Sequence, residues 1–332
     1  MNKKKIALVG GCGFIGHNLA IELKKNFDPT VIDSLTINNL YSSDEDSKDR
    51  NKSLYNLILQ NRINLLREEK IPLIIQDSRD YHAMTKIFDR IKPDTIIHLA
   101  AVSHANKSNK DPHTTFDHSL RTLENSLDYA RVVGAHFIYF SSSMVYGNFN
   151  ENEVDEDYNC KPIGIYASLK LAGELMVKAY NQVFNLPYTI IRPSALYGER
   201  CVSRRVGQIF IENAIQKLQI TIDGEGEGKL DFTYIKDLIQ GVSLCCQKKE
   251  AINQTFNITF GRGRKINELV SIIKEEFPDT FFLFQEKDKL MPERGTLNIN
   301  KAKKLLGYQP QFPIENGYIQ YINWYKSFWK KL

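Results

Sequence analysis

The chain has 332 residues, 42% of them hydrophobic and 25% charged, which makes a folded, soluble protein of one large or two intermixed domains without repeats or low-complexity segments. Its net charge of +5 is spread among interspersed Asp and Glu, which argues against a nucleic-acid binder, whose Lys and Arg gather in one tract or on one face. No run of 18 apolar residues predicts a membrane span, and five cysteines without metal-ligand spacing predict a reduced, cytoplasmic protein with no metal site.

The opening Met1-Asn2-Lys3-Lys4-Lys5 imitates a secretory leader, but glycines interrupt the apolar run that follows, and Ile6-Ala7-Leu8-Val9 reads as a first buried strand of a parallel sheet. It runs into Gly10-Gly11-Cys12-Gly13-Phe14-Ile15-Gly16. Glycines at 10, 13 and 16 allow a tight turn and a close approach of backbone to a pyrophosphate at the start of a helix over 14–25. A second strand at Thr30-Val31-Ile32 ends in Asp33, where a carboxylate accepts the ribose hydroxyls of an adenosine and repels a 2′-phosphate, so NAD is favoured over NADP. Residues 41–50 read as a polar loop. Residues 53–67, apolar at 54, 57, 58, 65 and 66, read as an extra amphipathic helix with a packing or interface role.

Leu73-Ile74-Ile75 leads into Gln76-Asp77-Ser78, and Thr95-Ile96-Ile97-His98-Leu99 ends in Ala100-Ala101, small residues that let a flat cofactor pass close by. Further strands are expected at 136–140 and 188–192. The alternation of strand and helix predicts a Rossmann-type, doubly wound α/β sheet. Between those strands, residues 148–162 are acidic and aperiodic, a surface loop near the substrate mouth. Tyr166-Ala167-Ser168-Leu169-Lys170 then sets Tyr and Lys on one helix face, where an ammonium favours the ionised form of a phenol and makes Tyr166 a base for a sugar hydroxyl. Beyond 194 a smaller, discontinuous substrate domain is expected: residues 1–193 with a returning segment over 231–260 form the NAD-binding domain, and 194–230 with 261–332 the nucleotide-sugar domain. Tyr318, Tyr321, Trp324, Tyr325, Phe328 and Trp329 give the last helix an aromatic stripe that reads as core. Cys245 and Cys246 read as a buried helix face rather than a redox pair.

The glycine turn, Asp33, Asp77, the segment from His98 to Ala101, the run Phe140-Ser141-Ser142-Ser143-Met144-Val145-Tyr146-Gly147, Tyr166 with Lys170, and Arg192-Pro193 followed by Leu196-Tyr197-Gly198 together resemble the extended short-chain dehydrogenase/reductase family, in its NAD-dependent nucleotide-sugar epimerase and dehydratase branch, over nearly the whole chain. The resemblance implies that Asp77 contacts the adenine, Lys170 the nicotinamide ribose and Ser142 the reacting sugar oxygen. The cofactor set becomes Gly10, Gly13, Phe14, Ile15, Gly16, Asp33, Asp77, Ser78, Leu99, Ala100, Ala101 and Pro193 with Tyr166 and Lys170, and the catalytic set Ser142, Tyr166 and Lys170.

In the dehydratase branch, Asp and Glu follow the catalytic hydroxyl residue; this chain has Ser143 and Met144, neither of which exchanges a proton efficiently at neutral pH. A C4 epimerase working through a transient 4-keto sugar is therefore the leading expectation. A C4 dehydrogenase or 4-keto reductase is the nearest alternative, with a 4,6-dehydratase or a non-catalytic NAD-binding regulator behind. Three positions depart from the family: Ser119 and Ala195 replace asparagines, and Leu230 replaces a phosphate-binding arginine. Arg294 matches the family's second diphosphate arginine, and Arg200, Arg204 and Arg205 lie close enough after Tyr197-Gly198 to compensate. Ser103, Ser143 and Met144 complete the substrate set. His98 and His104 are assigned structural or substrate-orienting duties. Nothing here distinguishes UDP, GDP or dTDP, and a homodimer through helices over 116–133 and 165–181 is implied by the resemblance.

Overall fold

The computed structural model describes residues 3–37, 39–40, 51–103, 105–286 and 291–331; the loop expected over 41–50 and His104 lie outside them. From the N-terminus, β1 (Lys5–Val9), α1 (Phe14–Leu23), β2 (Asp28–Asp33), α2 (Lys52–Glu68), β3 (Leu73–Ile75), α3 (Tyr81–Ile91) and β4 (Thr95–His98) follow the predicted rhythm. Next come α4 (Ala105–Lys110) and α5 (Pro112–Phe116), a π-helical stretch at Asp117–Arg121, α6 (Thr122–Val133), β5 (His136–Phe140), β6 (Glu153–Val154), α7 (Gly164–Phe184) and β7 (Tyr188–Arg192). The remainder holds β8 (Leu196–Tyr197), α8 (Val206–Ile215), β9 (Ile220–Asp223), β10 (Lys229–Asp231), β11 (Thr233–Tyr234), α9 (Ile235–Gln247) and β12 (Gln254–Asn257). It ends with β13 (Gly263–Lys265), α10 (Ile266–Glu276), β14 (Phe282–Gln285), β15 (Thr296–Leu297), α11 (Asn300–Leu306) and α12 (Ile314–Trp329).

Seven strands form one parallel sheet in the order β12-β7-β5-β4-β1-β2-β3. The order reverses between β1 and β4, and at such a switch point the loops leaving the two strands diverge and open a crevice. Alternation along β1 divides the core. Ile6 and Leu8 join a cluster with Leu19 and Leu23 of α1, Leu54 and Ile58 of α2, and Tyr318 and Tyr321 of α12. Ala7 and Val9 face Met84 and Phe88 of α3, Leu123 and Leu127 of α6, and Val177 of α7. The aromatic stripe of α12 is thus core, as its spacing predicts: Tyr318, Tyr321 and Tyr325 are fully buried.

Three features differ from the sequence reading or add to it. The helix expected over 116–133 is broken by the π-helical stretch, which has no hydrophobic period of its own. The segment over 148–162 is the irregular surface stretch expected, with one addition: β6 within it pairs with β15, and Glu156 accepts a hydrogen bond from the Asn257 amide at 2.7 Å. The returning segment contributes a seventh strand, β12, beside β7.

Candidate active site

The cleft at the switch point begins with the glycine turn. Gly10 has φ +75°, and a Cβ there would stand 2.6 Å from the Ala100 amide nitrogen, so the ends of β1 and β4 meet only because this side chain is absent. Gly16 packs so closely on Gly11 that a Cβ would lie 2.5 Å from its Cα, which seats α1 against the turn. The carboxylate of Asp33 accepts from the Cys12 amide at 2.9 Å and the Leu35 amide at 2.8 Å. Burial raises its pKa and these two bonds oppose the rise. Asp77 takes a forked bond from Arg79, which also reaches Asp117 at 2.8 Å and so ties the loop after β3 to the π-helical stretch.

One cleft of about 1010 Å³ of open space is lined by Gly10, Gly13, Phe14, Ile15, Gly16 and Asp33, and by Asp77, Ser78, Leu99, Ala100 and Ala101. Ser103 and Arg205 share it. Pro193 stands behind the Ser142 turn instead, its carbonyl accepting the Ser143 amide at 2.9 Å.

The residues expected to react stand where β5 ends; Ser142, Tyr166 and Lys170 are not among the residues that line this cleft. Ser142, 8% exposed, caps a short 3-10 turn over Ser143–Tyr146, its Oγ accepting from the Met144 amide at 3.2 Å. Ser143 is buried and Met144 half-buried. On α7, Tyr166 is half-buried and Lys170 stands one turn later, 7% exposed, with Nζ donating to the Phe140 carbonyl at 2.7 Å. Burial pulls the Lys170 ammonium down to about 8, and Glu174 one turn further on pushes the other way. Glu174 is itself fully buried. It receives a fork from Arg192 at 2.9 and 2.7 Å and the Ser141 hydroxyl at 2.5 Å, and Arg192 goes on to the Tyr146 hydroxyl at 3.0 Å. One buried ion pair thereby fixes α7, the end of β5 and the Ser142 turn together.

His98 is 1% exposed, with Nδ1 3.2 Å from the Ser126 hydroxyl. Burial, then the charge of Lys170, pull it down to about 3, so it is a neutral structural imidazole.

Of the arginines, Arg205 lines the cleft and Arg294 does not. Arg294 lies two residues before β15; its Nε is sealed from solvent and makes no hydrogen bond among the described residues. Burial, then the charge of Arg205, pull its pKa down to about 10. Arg200 and Arg204 do not join them. The Arg200 side chain donates to Asn61 at 2.8 Å and packs over Trp324, and Arg204 is exposed. Arg264, which stands across from Leu230 in the β10–β13 pairing, is occupied by Glu268 and Glu315. Of the post-197 trio, Arg205 is the one that faces the cleft.

Comparison with known proteins decides what this arrangement belongs to. Residues 6–259 match the model of the NAD dependent epimerase/dehydratase family. The chain belongs to that family. It is similar to a Bacillus subtilis protein named as an uncharacterized UDP-glucose epimerase, YtcB, at 29% identity over 98% of this chain and 99% of that one. It matches a putative UDP-glucose 4-epimerase of Methanocaldococcus jannaschii at 29% identity over 97% and 98% of the two chains. Among solved structures, the UDP-glucuronic acid 4-epimerase of Bacillus cereus, in complex with UDP-glucuronic acid and NAD, superposes with a TM-score of 0.87 at 25% identity, covering 97% of this chain and 99% of that one.

The protein is therefore an NAD-dependent enzyme of the extended short-chain dehydrogenase/reductase type. Its own residues fit the dinucleotide. Gly13 caps α1 without a side-chain hydrogen bond and the first turn carries no acidic residue, so the amides there are open to a diphosphate, while Asp33 faces the same cleft. Arg62, also in the lining, was not foreseen as a site residue. The signal was present in the sequence as an arginine within the stripe Leu54, Ile58, Leu59, Arg62, Leu66 that α2 buries.

Proposed function

We propose that the protein is a UDP-sugar 4-epimerase. Tyr166 takes the proton of the sugar's C4 hydroxyl, and Ser142 holds the same oxygen by a hydrogen bond. Lys170 supplies a fixed positive charge one helical turn from the phenol. NAD, when bound, accepts the hydride from C4 and returns it. The 4-keto sugar turns its other face, C4 regains hydrogen, and Tyr166 gives the proton back to the oxygen, so nothing is consumed. The observation that carries this reading is the turn after Ser142: with Ser143 buried and Met144 beside it, elimination of water has neither acid nor base at those positions, and the ketone's route is back to an alcohol. The cationic pair Arg205 and Arg294 supports a diphosphate-linked substrate, and the relatives named for UDP-glucose and the neighbour solved with UDP-glucuronic acid support uridine.

Incubation with UDP-glucose, UDP-galactose, UDP-N-acetylglucosamine and UDP-glucuronic acid is expected to give a C4 epimer at constant absorbance of the reduced cofactor. Tyr166→Phe is expected to lose about 10²–10⁴-fold in turnover with NAD still bound. Stoichiometric NADH build-up would identify a C4 dehydrogenase instead, and normal turnover by the Phe variant would remove Tyr166 from the chemistry.

We place the enzyme in the cytoplasm, on the support of five cysteines that are all free thiols. We read it as a homodimer through α6 and α7, which leave Val132, Leu175 and Val183 at least 60% exposed. Light scattering at micromolar concentration checks this, a monomer alone being the contrary result.

A further inference from the structure

Arg62 is 1% exposed in the middle of the apolar face of α2, and no carboxylate pairs with it among the described residues. Its Nε and Nη2 both donate to the carbonyl of Arg200, at 3.1 and 2.5 Å. That carbonyl is aimed by a backbone turn with φ +67° at Arg200, a left-handed conformation that a non-glycine residue keeps only when its surroundings hold it. Asn61, next to Arg62 on the same helix, supplies the hold by accepting the Arg200 side chain at 2.8 Å. A guanidinium is therefore buried and locked in place on a neutral carbonyl, with the charge of Asp33 acting on it from a distance but no carboxylate bonded to it among the described residues, at a cost to the stability of the fold.

Its surroundings identify the anion it can take. Arg62 lines the cleft beside Gly13, Phe14, Ile15 and Asp33. A dinucleotide's diphosphate rests on the first of these, at the start of α1, and the adenosine ribose rests on Asp33. The helix terminus offers only about half a positive charge, and α1 has no basic residue in its first turn. The other arginine of the lining, Arg205, is turned to the Ser103 carbonyl on the sugar side. We propose that Arg62 is a cofactor-binding residue whose guanidinium, set by the Arg200 carbonyl, holds the diphosphate of NAD together with the α1 N-terminus. The extra helix is then part of the cofactor site, delivering a charge that the glycine turn lacks.

The test is binding of adenosine, ADP, ADP-ribose and 2′,5′-ADP to the cofactor-free full-length protein, read by calorimetry, with a thermal melt of each apo-variant. Arg62→Met is expected to weaken ADP and ADP-ribose at least tenfold and adenosine less than twofold, with Arg62→Lys in between. The apo-protein is expected to keep or raise its melting temperature, because an apolar side chain of similar volume replaces a buried charge that no carboxylate bonds directly. ADP affinity unchanged within twofold, an equal loss for adenosine, or a loss confined to 2′,5′-ADP each overturns the assignment. An Arg62→Met protein that melts early while Arg62→Lys binds ADP as weakly as it does also overturns it, since the arginine is then a structural strut.

Discussion

The two sides of the cleft are built by different means. The cofactor side and the residues expected to react hang from a seven-stranded parallel sheet, and their polar groups are cross-linked: half-buried Asp33 to two amides, buried Lys170 to Phe140, buried Glu174 to Arg192 and Ser141. The opposing side is pieced together from four two-stranded sheets, β8 with β11, β6 with β15, β9 with β14 and β10 with β13, in whose ion pairs the carboxylates reach solvent. On the proposed function, the chemistry common to many sugars lies on the sheet side, and the side that would fit one nucleotide and one sugar is made of short pieces that exchange cheaply.

The sharpest way to break the contrast is Glu174→Ala. It strands the Arg192 guanidinium in the core and frees the Ser141 end of the Ser142 turn. A loss of about 3–5 kcal/mol in urea unfolding is expected, with turnover falling in the fraction that remains folded. A loss below about 1 kcal/mol would show that this pair does not hold the Ser142 turn.

The same contrast explains what the sequence disclosed. The strands β1 and β4 carry apolar runs because both their faces are covered, while β3 reads as a strand although it lies at the sheet edge with Ile75 57% exposed, and the glycine turn, Asp33 and the Tyr166 and Lys170 pair sit at ends of elements whose periods are clear. β12, Gln254–Asn257, is a polar edge strand whose place depends on its pairing to β7, which no local pattern reveals. The π-helical stretch is likewise silent, since a single wide turn leaves the flanking periods intact. On the sugar side, three arginines close in sequence gave no means of telling which faces inward. Arg200 and Arg204 both sit at left-handed backbone positions, and the chain turns there so that Arg205 is delivered to the cleft.

A middle-sized effect comes from Lys170, where function and stability oppose one another. Its ammonium sits at about 8 in the folded chain against about 10.4 when unfolded. Below pH 8 both states are charged and the fold bears the cost of burial. As pH rises from 8 toward 10.4 the folded lysine is the first to lose its proton, and stability rises by at most about 3 kcal/mol. Lys170→Met is expected to abolish turnover yet stabilise the apo-protein by about 1–2 kcal/mol at pH 7, after allowing for the donor lost at the Phe140 carbonyl, and to remove that rise. Urea melts of both proteins at pH 7 and 9.5 check it; an apo-variant less stable at pH 7 with the rise intact would mean that the lysine is at ease where it lies.

The smallest effect belongs to the other side. Glu315, 50% exposed, pairs with Arg264, which Glu268 also holds, so removing Glu315 leaves the guanidinium with a partner and with access to water. Glu315→Ala is expected to cost about 0.2–1 kcal/mol, a cost that vanishes in 1 M salt, because solvent and ions already screen the pair. Arg264 lies across from Leu230, the position at which the resemblance expects a phosphate-binding arginine, so the variant also asks whether this guanidinium can be released to a substrate. A lower KM for the proposed UDP-sugar substrate in Glu315→Ala at unchanged kcat would show that Arg264 is held in reserve by its carboxylates. An unchanged KM would leave diphosphate recognition to Arg205 and Arg294, the two cations whose charges already reach one another.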